Sequence, residues 1–465
     1  MDINKLIESY EDTMVEKLCE IVSIPSVEGT PQKDMPFGKE VDRALKYTLK
    51  LSEEIGLTPL NVDNYAGHAD YGDGDEILGV ILHLDVVPAG NDWTVKPFEP
   101  KLVDGKIYGR GTTDNKGPLI SVLYAIKGII DSGIVPKKKI RVIYGTNEET
   151  RWEGINYYLE RFDSPDFTIV PDAVFPMIYA EKGIADIVYK TRISNNLLEV
   201  KEFTGGNALN SVPDFARIKI TSKEKVILDL KKKLDDFPTP KKFSLSLIAE
   251  KSTIEISVKG VPAHGSVPED GANAISFLAN VLTGVLPSET NLYKVVSFID
   301  SYMPFDDYNG NKLGIYFEDE PSGKLTCNLG TLKMEGDNIE MAINIRYPVT
   351  MDYDMMLSNL KLLCIENDIE LSEYDHLKPI YQPLDSPTAK TLLNAYEEIT
   401  GDKESKPISI GAGTYARAMK NAIAYGGQMQ SDEVVPHQND EYITSESLVM
   451  MAKVYAKAIY DLACK

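Results

Sequence analysis

Between residues 36 and 184 the chain alternates short apolar runs with stretches of helical spacing. Residues 77–82 form a near-continuous apolar run of strand length, and 140–144 and 167–170 repeat it. Such runs fit strands buried on both faces of a parallel sheet. Leu119, Val122, Leu123 and Ile126 predict a helix over about 118–130, between the first two strands. Pro118 suits its first turn and Gly133 its C-terminal stop. From about 185 to 382 the texture changes. Ile254, Ile256 and Val258 alternate with polar residues, as do Ile339, Met341, Ile343 and Ile345 with Glu340, Ala342, Asn344 and Arg346. Strict alternation predicts strands with one buried face, as in antiparallel sheets. Helical spacing falls near 223–235, 273–286 and 353–367. Ser386 and Pro387 then suit the N-cap and first turn of a new helix, and 383–465 reads as helical.

This pattern predicts an α/β fold in two parts. Residues 1–184 and 383–465 form a domain with a mostly parallel sheet flanked by helices. Residues 185–382 form an inserted α+β domain with an antiparallel sheet, built as one module or two in tandem. A length of 465 residues agrees with more than one core.

The polar residues gather where these strands end. His83 follows the first run, Asn147, Glu148 and Glu149 the second, and Asp172 the third. Sites in open α/β sheets form at the carboxyl ends of the strands, so these residues can converge on one crevice. In the His83–Leu84–Asp85 segment, residues two apart on an extended chain share a side, so Asp85 can hold the second ring nitrogen of His83. A loop histidine paired with a carboxylate is the ordinary alternative. GRGTTDNKG, 109–117, places Asp114 before a helix. It is also a common glycine-rich turn, and it lacks the order of a phosphate-binding loop. The adjacent Glu148 and Glu149 suit a helix start. Beside metal ions they can instead divide labour, one as ligand and one as general base. Asp172 lies in a proline-marked turn and His437 on a polar loop.

Charge narrows the partners. The net charge of -22 repels nucleic-acid phosphate and anionic lipid. No apolar run reaches the length of a membrane span. The N-terminal segment is amphipathic, with acids interrupting each apolar run, unlike a signal peptide. The four cysteines, Cys19, Cys327, Cys364 and Cys464, form no C-x-x-C pair and read as reduced thiols. The expected location is the cytoplasm, with no nucleic-acid or membrane partner.

Taken in order, HLDVVP, GRGTTDNKG, NEET, PDA, VPAHGSVPEDGANAI and a C-terminal histidine span residues 83–437. Together they resemble the dinuclear metallopeptidase family of aminoacylase, carboxypeptidase G, carnosinases and succinyl-diaminopimelate desuccinylase. WTVKPFEP, GTNEETRWEGINYYL, NSVPDFA and the long insert resemble its bacterial dipeptidase V (Xaa-His dipeptidase) branch. The resemblance implies that the first domain is catalytic and the inserted one a lid. It implies two divalent ions, zinc by preference, with manganese or cobalt as alternatives. His83 and Asp172 would hold one ion, Glu149 and His437 the other, and Asp114 would bridge them across a cis Asp114–Asn115 peptide. Asp85 would orient His83, Glu148 would be the general base, and His264 would stabilise the oxyanion. Asn210, Arg346, Gly413, Thr414 and Arg417 would contact substrate, with Arg346 gripping a carboxylate in a two-pronged bond.

The implied activity is hydrolysis of dipeptides by a monomer. Alternatives are an N-acyl amino acid deacylase or desuccinylase, and a non-catalytic metal-bound binding protein. One departure stands out: the family's usual glycine before the first ligand is Leu82 here. A side chain there is expected to crowd the strand end or narrow the site.

Overall fold

The computed structural model describes every residue except Met1, Asn195, Asn196 and Val434. Contacts divide the chain into two compact units. The first comprises 1–179, 381–409 and 413–465, and the second 180–380 with 410–412. Among the described residues, no helix is long and apolar enough to cross a membrane.

The first unit is built on a mixed sheet whose centre is parallel. Ile77–His83 runs parallel to Lys139–Gly145 on one side and Phe167–Val170 on the other. Ala422–Ala424 adds a fourth parallel strand beside Phe167–Val170. Ala66–Tyr71 and Thr58–Val62 extend the sheet antiparallel at one edge. The three apolar runs are therefore the central strands, buried as continuous hydrophobic segments must be. The fourth strand lies in the C-terminal stretch that read as helical. It has only three residues, too few to show a period, and its pairing with Phe167–Val170 defines it.

Lys116–Asp131 forms the helix expected between the first two strands. It is buried on nearly every side, in one core with the helix Ser445–Ile459. Pro387–Thr400 starts as expected, with Ser386 capping the amide of Ala389 and proline in the first turn. The N-terminal segment is two helices, Ile3–Ser9 and Glu11–Val22. A small antiparallel ribbon pairs Lys106–Tyr108 with Tyr442–Thr444, joining segments distant in sequence.

The second unit holds one eight-stranded antiparallel sheet. Thr253–Lys259 pairs with Phe215–Thr221, and Asn338–Tyr347 with both Thr326–Glu335 and Gly183–Arg192. Ile254, Ile256 and Val258 are buried while their neighbours are not, as the alternation requires. The two halves of this sheet meet through a short seam, Thr204 and Gly205 against Lys333 and Leu332. Glu224–Asp235, Ala274–Val285 and Tyr353–Glu366 match the expected helices. Asn291–Tyr302, capped by Thr290, was not anticipated.

Candidate metal centre

Parallel strands deliver their carboxyl ends to one edge of the sheet, and the chemistry collects there. His83 is the last residue of its strand and is buried. Glu148 and Glu149 follow the strand Lys139–Gly145, and Asp172 follows Phe167–Val170. Asp114 sits just before the helix Lys116–Asp131, across a cis Asp114–Asn115 peptide. His437 comes from the C-terminal loop, with a left-handed φ of 63°.

The distances describe a shared carboxylate. Asp114 Oδ1 lies 2.8 Å from His83 Nε2, and Asp114 Oδ2 lies 3.1 Å from His437 Nε2. His437 Nε2 also lies 3.0 Å from Glu149 Oε1, and His83 Nε2 lies 3.6 Å from Asp172 Oδ1. Ligand atoms of His83, Asp114 and Glu149 come within 4.8 Å of one another, as do those of His83, Glu148 and Asp172. All five expected ligands are thus gathered, with Glu148 among them.

The donor chemistry fits cations. His83 Nδ1 is 3.0 Å from the carbonyl oxygen of Asp85, the geometry of a donated hydrogen bond. That bond leaves the Nε2 lone pair of a neutral ring facing Asp114. Two acceptors face each other at hydrogen-bond distance, so a proton or a metal ion must lie between them. Protonation tells the same story. Burial works against charging His83, yet Asp172 and the hydrogen bond to Asp114 raise its pKa well above the ordinary range. Hydrogen bonds to Asp114 and Glu149 lift His437 to about 10. Asp114 is disfavoured as an anion by burial, but hydrogen bonds from His437 and His83 hold it low. Burial, then the charge of Asp172, push Glu148 well above the carboxylate range. A crowd of carboxylates with imidazoles and no thiolate suits zinc, manganese or cobalt.

Asp85 has a second task besides facing His83. Its carboxylate accepts from the amides of Glu148 (3.0 Å) and Glu149 (3.1 Å), and stands 3.6 Å from His83 Nδ1. The carbonyl of Asp85 makes the shorter contact with the ring, and its carboxylate also anchors the glutamate pair. Leu82 does not crowd the site. It is fully buried in the first unit's hydrophobic core, because neighbours on a strand face opposite ways.

The remaining residues divide between the units. Thr414 caps the short helix Tyr415–Ala418. Arg417 folds over Gly413, where a β-carbon would come within 2.5 Å of its Nε. In the second unit, Asn210 accepts at its carbonyl from the amide of Gly265 (2.7 Å), placing it beside His264. His264 Nδ1 meets Ser266 Oγ at 2.6 Å. Desolvation and then the charge of Arg346 lower the His264 pKa. Arg346 donates to Asn344 Oδ1 and to the carbonyl of Gly411, both at 2.8 Å. Two of its five donors are therefore engaged within the protein.

Other residues support the centre without having been anticipated. Asn115 donates to Asp172 Oδ1 at 3.0 Å, and its place beside Asp114 was the available signal. Trp152 donates to the carbonyl of Glu148 at 2.8 Å. Tyr415 packs edge-on to His83 and fills the space beside Gly145, where a β-carbon would strike its ring.

Two curated relatives carry the name "Putative dipeptidase". One is YtjP of Bacillus subtilis (strain 168), 36% identical over 99% of this chain and 99% of that protein. The other, from Staphylococcus epidermidis, is 32% identical over 97% of each. Two solved structures share the fold. Aminoacylhistidine dipeptidase from Vibrio alginolyticus has a TM-score of 0.59 at 13% identity, covering 100% of this chain and 99% of that one. Human carnosine dipeptidase 1 has a TM-score of 0.57 at 15% identity, covering 98% and 97%. An α/β sheet with this cluster at its strand ends, in such company, defines a metallohydrolase of the peptidase class. The chain belongs to peptidase family M20/M25/M40, whose model matches residues 79–461.

Proposed function

We propose that the protein is a dipeptidase that hydrolyses the peptide bond of small dipeptides with two divalent ions, zinc by preference. The observation that carries this reading is Asp114, whose two oxygens face two different imidazoles. His83 and Asp172 would hold one ion, Glu149 and His437 the other, with Asp114 shared. Bound there, the ions supply Lewis acidity that acidifies water and polarises an amide carbonyl.

The chain's own groups supply the rest. Asp85 fixes the backbone of Glu148 and Glu149, so the two carboxylates are placed separately. Glu148 takes the proton of the attacking water and passes it to the departing amine. Its raised pKa comes from burial and from the charge of Asp172, and bound cations would offset the latter. His264 is assigned to the developing oxyanion, and Asn210, Arg346, Gly413, Thr414 and Arg417 to the substrate's ends. The names of the relatives favour dipeptides over N-acyl amino acids.

A substrate panel tests the assignment. Metal-loaded protein is offered dipeptides, tripeptides and N-acyl amino acids at equal concentration. The expected result is the highest kcat/KM on dipeptides. Preference for N-acyl amino acids would replace the reading with a deacylase.

A further inference from the structure

Outside the ligand set lies a buried ion pair that none of the chemistry above uses. Arg110 is 2% exposed and Glu441 not at all. Glu441 Oε2 accepts from Arg110 Nη1 (2.8 Å) and the amide of Gly111 (3.0 Å). Its Oε1 accepts from the amide of Thr113 (2.8 Å), Thr113 Oγ1 (2.7 Å) and the amide of Asp114 (3.2 Å). One carboxylate thus organises the whole turn that ends in Asp114. Gly111, with φ of 89°, turns its amide into this cradle.

The same pair reaches the other loop. Glu441 lies four residues after His437, and its carbonyl accepts from the amide of Gly109 (2.9 Å). That bond continues the ribbon in which Tyr442–Thr444 pairs with Lys106–Tyr108. Arg110 Nη1 also donates to the carbonyl of Gln438 (3.1 Å), and its Nη2 approaches that of His437 (3.5 Å). The guanidinium lies over the Trp93 ring, 5.0 Å from its centroid. The Asp114 turn and the His437 loop are therefore fixed to each other through Arg110 and Glu441.

A buried pair is a costly way to gain stability, since removing the charges from water offsets most of the attraction. Its value here is placement. We propose that Arg110 and Glu441 are positioning residues that set the separation of Asp114 from His437, and so the affinity of the ion those two residues share with Glu149. His83 ends one sheet strand and Asp172 lies two residues past another, so the clamp reaches their ion only through the Asp114 turn. The proposal rests on the two-ion reading above and adds an asymmetry to it: the pair tunes one ion more than the other.

The test is calorimetric titration of metal-stripped protein with zinc. Glu441→Gln keeps the shape and removes the charge. It is expected to weaken one binding step by about 10–100-fold and the other by less, as for other residues that orient metal ligands. Thr113→Val removes a single hydrogen bond to Glu441 and is expected to weaken the same step by about 2–10-fold. If Glu441→Gln fails to fold, Thr113→Val carries the test alone. Asp70→Asn is the control, because Arg141 and Asp70 form a comparable two-bonded pair (2.8 and 2.7 Å) within the sheet. It should lower thermal stability and leave both steps intact. Equal weakening of both steps, no weakening, or the same selective loss in Asp70→Asn would each overturn the proposal. Wild-type protein that binds fewer than two ions would instead refute the two-ion reading itself.

Discussion

The two large sheets of this protein do different work. In the first unit, neighbouring central strands run the same way, so His83, Glu148 and Asp172 all emerge at one edge. In the second unit every strand runs against its neighbours, so strand ends are shared between opposite edges. Alternation gives Thr253–Lys259 one buried face, whereas Asn338–Tyr347 is buried on both faces from Met341 onward. The difference teaches that strand direction, more than residue type, decides where titratable groups accumulate.

The comparison is sharpest when the first unit's chemistry is removed. Glu148→Gln is expected to lower kcat by about 10²–10⁴-fold while the protein still binds its ions, checked by steady-state kinetics and metal analysis. Wild-type turnover would remove Glu148 from the mechanism. Under the proposed function, the second unit supplies His264. His264→Ala is expected to lower kcat by about 10²–10³-fold, the cost of losing one oxyanion donor. An unchanged kcat would confine the chemistry to the first unit.

Core residues should behave alike in both units. Leu82→Ala and Ile256→Ala each remove a fully buried side chain, and each is expected to cost about 2–5 kcal/mol in denaturant unfolding. Neither should change metal affinity. Weakened metal binding in Leu82→Ala would show that this side chain shapes the site after all.

Proton linkage gives the smallest effect. In the metal-free protein His437 is raised from 6.5 to about 10 by Asp114 and Glu149. Its contribution to stability is present below about pH 6.5 and is lost as pH rises through about 10. A bound ion must displace that proton, so apparent metal affinity should rise across this window, by about tenfold per pH unit for each proton released. Titrations in buffers of different ionisation enthalpy measure the release directly. A pH-independent affinity between 7 and 9 would contradict the linkage.

Much of the first unit was legible because parallel strands buried on both faces must be written as continuous apolar runs. His83, Glu148, Glu149 and Asp172 then stood out by position, at the ends of 77–82, 140–144 and 167–170, whereas Asp114 and His437 gained their roles from the family resemblance. The strand Ala422–Ala424 was hidden, since three residues carry no period and its neighbours in space are distant in sequence. Arg110 and Glu441 were hidden for the same reason, brought together only when the two ribbon segments pair. Leu82 was misjudged although the signal was present: with His83 facing the ligands, the residue before it on the strand must face the core. Asp85 meets the expected ring nitrogen with its carbonyl at 3.0 Å as well as with its carboxylate at 3.6 Å. The sequence pattern shows which side chains can be near each other, not whether a carbonyl takes the bond first.

The central claim is that two ions sit in the centre built around Asp114. The direct measurement strips the protein of metal, returns zinc, manganese or cobalt singly, and records ions bound per chain beside dipeptide hydrolysis. Two ions per chain are expected, with cleavage only when they are present. One ion per chain, or cleavage by the stripped protein, would contradict it.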